Sequence, residues 1–580
     1  MTAVQLMTAR GGWPLNCFAL PDGKPIYGGT YFPPEQWKNV LINLADLYNN
    51  EPEKLIEYGE NLVSGVQQSE LIKVEKKIPD FTINDLHACY KNWSKQFDDI
   101  EGGSRRTPKF PLPNNYLFLL RYGFFTQDIS LLNHVELTLK KMAYGGIYDQ
   151  VGGGFARYST DDKWKVPHFE KMLYDNAQLV SLYSEAFQAT GENLYKEIVF
   201  KILAFIEREM TSAQGAFYSA LDADSEGEEG KYYVWKKEQI KDLAGKDFPL
   251  VADYFNINEE GYWEHGNYIL LRKKTDEEIA VAYGLSVSGV HEKIAEIKKK
   301  LLDEREKRIK PGLDDKTLTS WNALMIKGYI DAYNAFDEPK FLQAAKRNAS
   351  FILNNQRRTD GGLFHNYKNG KSSINGFLED YAFTIEAFIA LYEASFEEAW
   401  LKEALALMEY TIIHFKDEET KLFFFTSNID APLIARKMEL SDNVIPASNS
   451  AIAKSLFLLG HYYEKPAYIE TAKQMLNNIK NQLMEYGSAY SNWAMLMMFF
   501  TNPFYEVAIV GKNAEQKRKE LNKFYFPNKL IAGSETPSSL NLLKNRFVES
   551  KTMLYVCAEK ICKLPVSEVK DAIAQLKGLK

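Results

Sequence analysis

A repeated unit of turn, loop and helix constrains the fold of this chain more than any other feature of its sequence. A glycine-rich or aromatic turn occurs four times, at residues 145–148, 215–218, 361–364 and 421–424. After each turn comes a loop and then a helix with a polar start, near residues 175, 321, 380 and 448. One such unit cannot bury its apolar face alone, so the repeat predicts helical hairpins packed side by side.

Helical periodicity extends over most of the chain. From about residue 80 to 500, apolar residues recur at i, i+3, i+4 and i+7. The pattern predicts six hairpins of helices near 82–97, 114–126, 130–143, 169–189, 194–211, 318–335, 338–356, 377–395, 397–416, 446–463, 466–484 and 487–500. We therefore predict a mainly α protein with an (α/α)6 toroid, in which each inner helix begins with polar residues at a shared mouth.

Two shorter segments flank the helical region. Residues 15–20 and 26–27 look like strands joined by a tight turn, and one helix is predicted from about 34 to 66. Residues 504–510, 529–532 and 553–557 look like strands of a small α/β module. The sequence thus predicts three domains: residues 1–75, residues 80–500 with an insertion at about 220–315, and residues 501–580.

Composition excludes several classes of protein. The chain has 70 Lys and Arg against 77 Asp and Glu, a net charge of −7, which argues against a nucleic-acid partner. No apolar run approaches the roughly 18 residues that a membrane span needs, and no signal peptide is recognisable. Four cysteines do not form a disulfide framework; Cys557 and Cys562 could be buried thiols or a redox-labile pair. We predict a soluble, cytoplasmic protein of open oligomeric state.

The densest run of unusual residues lies between the first repeated turn and its helix. Residues 145–176 read GGIYDQVGGGFARYSTDDKWKVPHFEKMLYDN. Glycines permit positive φ and close backbone approach, and functional residues tend to lie on loops held by a rigid scaffold. We therefore predict that this loop forms one wall of a pocket.

Six side chains predicted to lie at the mouth are candidates for acid–base chemistry. His168 could act as an acid or base, or could be a structural histidine. It lies two residues from Glu170 at a predicted helix start, so the two side chains should diverge by roughly 200°. Adjacent carboxylates at 379 and 380 would raise one pKa at a dry mouth, unless they only serve the helix dipole. The predicted catalytic residues are His168, Asp175, Glu379 and Asp380, followed by Asp222 and Asp224.

The acidic stretch that starts at Asp222 has three possible roles. Its oxygen ligands begin like a calcium loop, but Tyr233 stands where such a loop needs a bidentate glutamate. A solvated acidic loop and a supply of carboxylates to the mouth are the alternatives. No metal is predicted.

Further polar and aromatic residues are predicted to bind substrate. Aromatic faces stack on sugar rings, and arginine can hold a carboxylate or phosphate. The predicted set is Asp149, Arg157, Trp164, Tyr174, Asn176, Trp321, Asn322, Tyr381 and Asn449. The sequence lacks a phosphate-binding glycine motif, a serine elbow and a His-Glu-x-x-His motif, and no cofactor is predicted.

Several long segments carry a resemblance to a known family. They are GGWPLNCFALPDG, TPKFPLP (107–113), the run at 145–176, AFYSALDADSEGEEGKYYVW, LTSWNALM and FLEDYAF. In this order they resemble the spermatogenesis-associated protein 20 family. The resemblance implies a thioredoxin-like segment, a toroid like those of six-hairpin glycosidases and N-acylglucosamine 2-epimerase-like enzymes, and a small C-terminal module.

The amino-terminal segment resembles the second half of a thioredoxin-like domain. In that resemblance, Trp13-Pro14 occupies the position of the cis-proline beside the redox site. The Cys-x-x-Cys-like segment of the family is absent from this sequence, and Cys17 lies in a predicted strand. We therefore predict no redox activity, with the chain either starting late or having lost that part.

These features favour a carbohydrate-active enzyme with a small, sugar-like substrate. A hydrolase needs two carboxylates, whereas an epimerase or isomerase needs two acid–base groups on opposite faces of the sugar. Only His168 and His365 lie near predicted mouth loops, which weakens the epimerase version. The alternative is a protein that binds a glycan or polypeptide, or a redox partner. A deep pocket with paired carboxylates would favour an enzyme.

Overall fold

The computed structural model describes residues 1–69, 72, 74, 80–431 and 434–578. The chain forms two units, Met1–Lys77 with Ile412–Glu439, and Ile78–Thr411 with Leu440–Lys580. The predicted division into three domains stays a prediction.

Six inner helices form a closed ring in the larger unit. Each contacts the next, and the sixth contacts the first. They are buried along most of their length, because other elements pack around them on several sides. In chain order, and called the first to sixth inner helix below, they are Pro113–Thr126, Leu173–Thr190, Thr319–Phe336, Leu378–Ser395, Ser448–Tyr462 and Ser491–Thr501.

Six outer helices surround this ring. They are Ile83–Trp93, Ile129–Tyr144, Asn193–Glu209, Pro339–Phe351, Glu398–Phe415 and Pro466–Glu485. Ile83–Trp93 packs against the sixth inner helix, so the ring is closed by the first helix of the repeat region and the last. The predicted (α/α)6 toroid is confirmed.

A large insertion separates the outer helix Asn193–Glu209 from the third inner helix. It contains the helices Lys237–Ala244, Phe248–Tyr254, Asp276–Tyr283 and Val287–Arg305. These helices enclose an apolar cluster that includes Trp235, Val251, Phe255, Val290 and Ile294. The insertion therefore has a core of its own.

Short antiparallel strands join the loops above the ring. Tyr158–Ser159 pairs with Pro167–His168, and Lys171–Met172 pairs with Ala220–Leu221, which also pairs with Leu313–Asp314. The remaining pairs are Asp224–Ser225 with Glu228–Glu229, Trp235–Lys236 with Asn267–Tyr268, and Thr317–Leu318 with Phe364–Lys368 and Lys371–Asn375.

The predicted α/β module follows the sixth inner helix. Its sheet contains Tyr505–Val510, Lys529–Ser534, Met553–Ala558 and Ile561–Cys562, and its helices are Ala514–Leu521 and Val569–Gly578. Cys557 and Cys562 face each other across the last strand pair and are joined by a disulfide. The Ile531 amide and the Tyr525 hydroxyl donate hydrogen bonds to Glu393 and Glu185 of the inner ring. The module therefore covers the end at which the inner helices finish.

The smaller unit carries the thioredoxin-like segment. The strands Asn16–Ala19 and Pro25–Gly29 form a hairpin, with helices Thr2–Thr8, Pro34–Asn50 and Pro52–Ser69. The single helix predicted at 34–66 is wrong: it is broken before Pro52, because proline disfavours helical conformation in the residue that precedes it. The Trp13–Pro14 peptide bond is cis.

The length and hydropathy of the helices decide whether any of them could span a membrane. Within the described part of the chain, no helix is both long enough and apolar enough to cross a membrane.

Candidate active site

The inner helices begin at one end of the ring, which we call the mouth. Their first turns contact one another from helix to helix. Ser491 bonds Asn114, Asp380 accepts from the Ser320 amide, and Asn492 bonds Ser450. The mouth thus gathers the polar helix starts that the repeat predicted, and helix amino termini there favour anionic groups.

One cluster at the mouth combines a histidine, an arginine and two carboxylates. His168 Nδ1 lies 2.8 Å from Glu229 Oε1, and His168 Nε2 lies 3.6 Å from Glu170 Oε2. Arg157 Nη1 donates to Glu170 Oε2 at 3.2 Å. Hydrogen bonding to Glu170, with further help from Glu229, raises the pKa of His168 despite its burial. The same histidine, followed by Arg157, lowers the pKa of Glu170.

The prediction that His168 and Glu170 diverge is wrong. The second inner helix begins at Leu173, and residues 167–172 are mostly extended. In an extended chain, residues two apart lie on the same side. His168 and Glu170 can therefore act together.

Asp175 lies in the first turn of the second inner helix and is only 2% exposed. Burial raises the pKa of its carboxyl group well above the ordinary value; Arg157 opposes this shift and Glu170 adds to it. Its Oδ2 atom has no hydrogen-bond partner among the described residues. Asp175 is therefore a buried carboxyl group with a raised pKa, and the pKa of Glu170, which acts on it, is lowered.

Two aromatic residues lie next to Asp175. The rings of Tyr174 and Trp321 meet edge to face, with centroids 4.8 Å apart. Tyr174 is buried whereas Trp321 is partly exposed. Burial raises the pKa of Tyr174, so its hydroxyl group is neutral at physiological pH.

A second cluster involves the fourth inner helix. The Asp380 carboxylate is fully buried and accepts from the Phe377 and Ser320 amides. His365 Nδ1 lies 3.0 Å from Asp380 Oδ2. Burial alone would lower the pKa of His365, but the bond to Asp380 outweighs it and the pKa is raised. Asp380 thus fixes the orientation of the His365 imidazole.

The second cluster is also the place where a metal ion could be held. Potential ligand atoms of His365, Glu379 and Asp380 lie within 4.8 Å of one another. Each Asp380 oxygen already accepts one backbone N–H group, so a metal ion there would share this carboxylate with the Phe377 and Ser320 amides.

Four predicted substrate-binding residues lie at the starts of inner helices, and three of them bond the backbone of the segment that precedes the helix. Asn176 accepts from the Phe155 amide and donates to its carbonyl, and Asn322 does the same with Phe217. The Tyr381 hydroxyl accepts from the Leu363 amide. Asn449 is fully buried in the fifth inner helix. The structure therefore gives the first three of these predicted substrate-binding residues a bond that holds the preceding loop or turn against the helix.

Two further predicted residues lie inside the loop rather than at its surface. Asp149 forms ion pairs with Lys171 at 2.8 Å and with Arg305 at 2.9 Å. Trp164 is fully buried and donates from Nε1 to the Glu101 carbonyl at 2.9 Å. Both fix the shape of the 145–176 loop.

The acidic stretch contributes a different residue from those predicted. Asp222 and Asp224 are exposed, and Asp224 starts the strand that pairs with Glu228–Glu229. This hairpin brings Glu229 to His168.

Three residues of the clusters are absent from the predicted site: Glu170, Glu229 and His365. His365 follows a repeated turn, which is a positional signal. Nothing in the sequence distinguishes Glu229 from its acidic neighbours.

Comparison with known proteins identifies the family. The amino-terminal residues 1–67 match a DsbH-type thioredoxin family model, described as a protein of unknown function, DUF255. Human spermatogenesis-associated protein 20 is 31% identical over 98% of this chain and 80% of its own length. An uncharacterized protein, B0495.5, of Caenorhabditis elegans is 30% identical over 98% of this chain and 84% of its own. The chain belongs to the spermatogenesis-associated protein 20 family.

Solved structures with similar architecture include sugar-processing proteins. A GH76 α-mannanase of Bacteroides thetaiotaomicron matches 71% of this chain and 95% of its own, at 13% identity and a TM-score of 0.42. A sugar epimerase from a ruminal bacterium matches 73% and 99%, at 13% identity and a TM-score of 0.31. An unsaturated glucuronyl hydrolase from Bacillus sp. GL1 matches 72% and 95%, at 10% identity and a TM-score of 0.42.

Proposed function

We propose that this protein is a carbohydrate-active enzyme that performs acid–base catalysis at the mouth of the toroid. The observation that carries the proposal is the contrast between Asp175 and Glu170. Burial raises the pKa of Asp175, whereas His168 and Arg157 lower the pKa of Glu170. Two carboxyl groups whose pKa values are driven apart are what a general acid and its ionised partner require.

In this proposal each group has one role. Asp175 donates a proton to the leaving oxygen, and Glu170 acts as the nucleophile or as the base that activates water. Arg157 keeps Glu170 ionised and in place. Trp321, which is partly exposed, offers a ring for a sugar, since aromatic rings pack on apolar sugar faces while carboxylates bond the hydroxyl groups of the sugar.

An epimerase or isomerase is the second candidate, and the His365–Asp380 pair favours it. The pKa values of His168 and His365 are both raised by carboxylate partners. Two histidines held by carboxylates could exchange a proton with a substrate carbon. Under this version, Asp380 orients His365 and the Glu170–Glu229 pair orients His168.

The test is turnover of a carbohydrate library that contains oligosaccharides, aryl glycosides and free aldoses. Release of reducing ends reports hydrolysis, and NMR of the free sugars reports epimerisation. We expect Asp175→Asn and Glu170→Gln to lower kcat on a hydrolysed substrate at least 100-fold, as loss of an acid–base group does. If the protein epimerises a sugar instead, His365→Asn should lower kcat for epimerisation by a similar factor.

Asp128→Asn is the matched control. Asp128 caps the outer helix Ile129–Tyr144 by accepting from the Leu131 amide, and asparagine caps as well as aspartate. The control should retain full activity. Turnover that survives in both Asp175→Asn and Glu170→Gln would disprove the assigned roles, and a library that gives neither turnover nor thermal stabilisation would disprove the sugar site.

A further inference from the structure

The inner ring encloses a cavity of about 180 Å³ on its axis. Residues from all six inner helices line it, and so do Pro527 and Lys529 of the C-terminal module. Eight of its lining side chains are ionisable: Arg121, Glu185, Lys327, Asp331, Glu386, Glu393, Lys454 and Lys529. Such groups are costly inside a protein unless they are paired or used.

Three of the four cations in this cavity are paired. Arg121 Nε lies 2.7 Å from Glu185 Oε1, and Lys327 Nζ lies 2.6 Å from Asp331. Lys454 Nζ lies 3.1 Å from Glu386 Oε1 and donates to Asn492 at 2.6 Å. These pairs leave one cation to be explained.

Lys529 is that cation. Its Nζ atom donates to the Phe526 carbonyl at 2.8 Å, and no carboxylate of the described residues lies within ion-pairing distance of it. It starts the strand Lys529–Ser534, which lies at the floor of the ring. Burial lowers the pKa of Lys529 to about 8. A substantial fraction of this amine is therefore neutral and nucleophilic near pH 7.5.

Glu393, which lines the same cavity, uses only one of its carboxyl oxygens in hydrogen bonds to described residues. Its Oε1 atom accepts from Tyr462 Oη at 2.6 Å and from the Ile531 amide at 3.1 Å. Among the described residues, no donor contacts Oε2. Burial raises the pKa of Glu393, and its charge acts on Lys529. A carboxyl group of this kind can both donate and accept a proton.

We propose that Lys529 is a reactive amine that condenses with the carbonyl group of a small aldehyde or ketone in the axial cavity, with Glu393 transferring the protons. The amine lone pair forms a C–N bond to the carbonyl carbon as the C=O π bond breaks, and the carbonyl oxygen takes up a proton that the amine nitrogen releases. The C–O bond then breaks after a proton from Glu393, water leaves, and the nitrogen proton returns to Glu393. The products are an imine and water, and nothing is oxidised or reduced. This chemistry is independent of the mouth residues.

Reductive trapping tests the proposal on the full-length protein. Glyceraldehyde is the probe, and cyanoborohydride supplies the hydride that fixes the imine as a secondary amine. Peptide mass spectrometry then gives the labelling rate of each lysine. We expect Lys529 to be labelled at least about tenfold faster than Lys327, because the ion pair with Asp331 raises the pKa of that amine and keeps it protonated. The labelling rate of Lys529 should be half-maximal near pH 8.

Three variants sharpen the test. Lys529→Met should lose the fast label and keep the fold, because methionine removes an unpaired buried charge. Glu393→Gln should slow trapping at Lys529 at least about tenfold, as the loss of a general acid does. Asp331→Asn should add fast labelling at Lys327, since it removes the carboxylate that pairs with that amine.

Two results would overturn the proposal. One is a Lys529 that stays unlabelled while exposed lysines react. The other is equal labelling of Lys529 and Lys327, which would mean that access to the cavity, and not the unpaired amine, sets the rate.

Discussion

The carboxyl group of Asp175 occupies a position that is unfavourable for its charge. Its folded-state pKa is raised by burial, so ionisation is easier in the unfolded chain. For an acid of this kind the unfolded state loses its proton first, and stability falls as pH rises from the ordinary pKa toward the folded one. Asp175→Asn does not titrate. We expect it to match the wild type near pH 4 and to become more stable than the wild type as pH rises, by at most about 1.4 kcal/mol per pH unit.

Glu170 should show the opposite dependence. Its folded pKa is lowered by His168 and Arg157, so its contribution is present above the ordinary pKa and is lost as pH falls through the folded one. Glu170→Gln should therefore be less stable than the wild type at pH 7, with a difference that shrinks in acid. Thermal unfolding from pH 4 to 8 measures both. An Asp175→Asn protein whose stability relative to the wild type does not rise with pH would show that the fold does not raise the pKa of Asp175.

At the scale of elements, the repeat has a structural meaning as well as a functional one. Asn176 and Asn322 each exchange two hydrogen bonds with a buried phenylalanine of the segment that precedes the helix, Phe155 and Phe217. Alanine at either position leaves a buried N–H and a buried carbonyl unsatisfied, at about 1–3 kcal/mol for each group. We expect Asn176→Ala and Asn322→Ala to lose that much stability in urea unfolding while keeping kcat at temperatures where they are folded.

Asn193→Ala is the control for these two variants, because Asn193 is exposed at the start of an outer helix. It should change stability by less than about 0.5 kcal/mol. A loss of kcat in Asn176→Ala without a loss of stability would return this residue to substrate binding.

Periodicity in the sequence was enough to predict the inner and outer helices, because a 3.6-residue apolar pattern is a local property. The same pattern did not predict which side chains meet at the candidate active site. Residues 169–172 continue the apolar pattern of the helix but are mostly extended, because Lys171–Met172 pairs with Ala220–Leu221 far along the chain. That pairing puts Glu170 beside His168. Glu229 reaches the same histidine through a hairpin in the insertion. Pairings between residues this far apart in the sequence cannot be predicted from a local apolar pattern.

At the scale of the whole molecule, a partly buried ion pair of the ring is hydrogen-bonded to the module that covers its end. Arg121 of the first inner helix makes two bonds to Glu185 of the second, at 2.7 and 2.8 Å. Tyr525 of the C-terminal module donates to the same glutamate at 2.7 Å. Glu185 therefore links two helices and the module, and burial would raise its pKa were the arginine not there.

Removing one partner of the Arg121–Glu185 pair should lower the free energy of unfolding far more than removing both. Arg121→Met leaves Glu185 buried and unpaired, and we expect a loss of about 3–5 kcal/mol in urea unfolding. Arg121→Met with Glu185→Leu removes both charges, and most of that loss should be recovered because similar volumes fill the site. The surface pair Lys299–Asp303 is the control, since exposed pairs contribute about 0–1 kcal/mol. If the double variant were as unstable as the single one, the pair itself, and not the cost of an isolated charge, would hold the ring to its module.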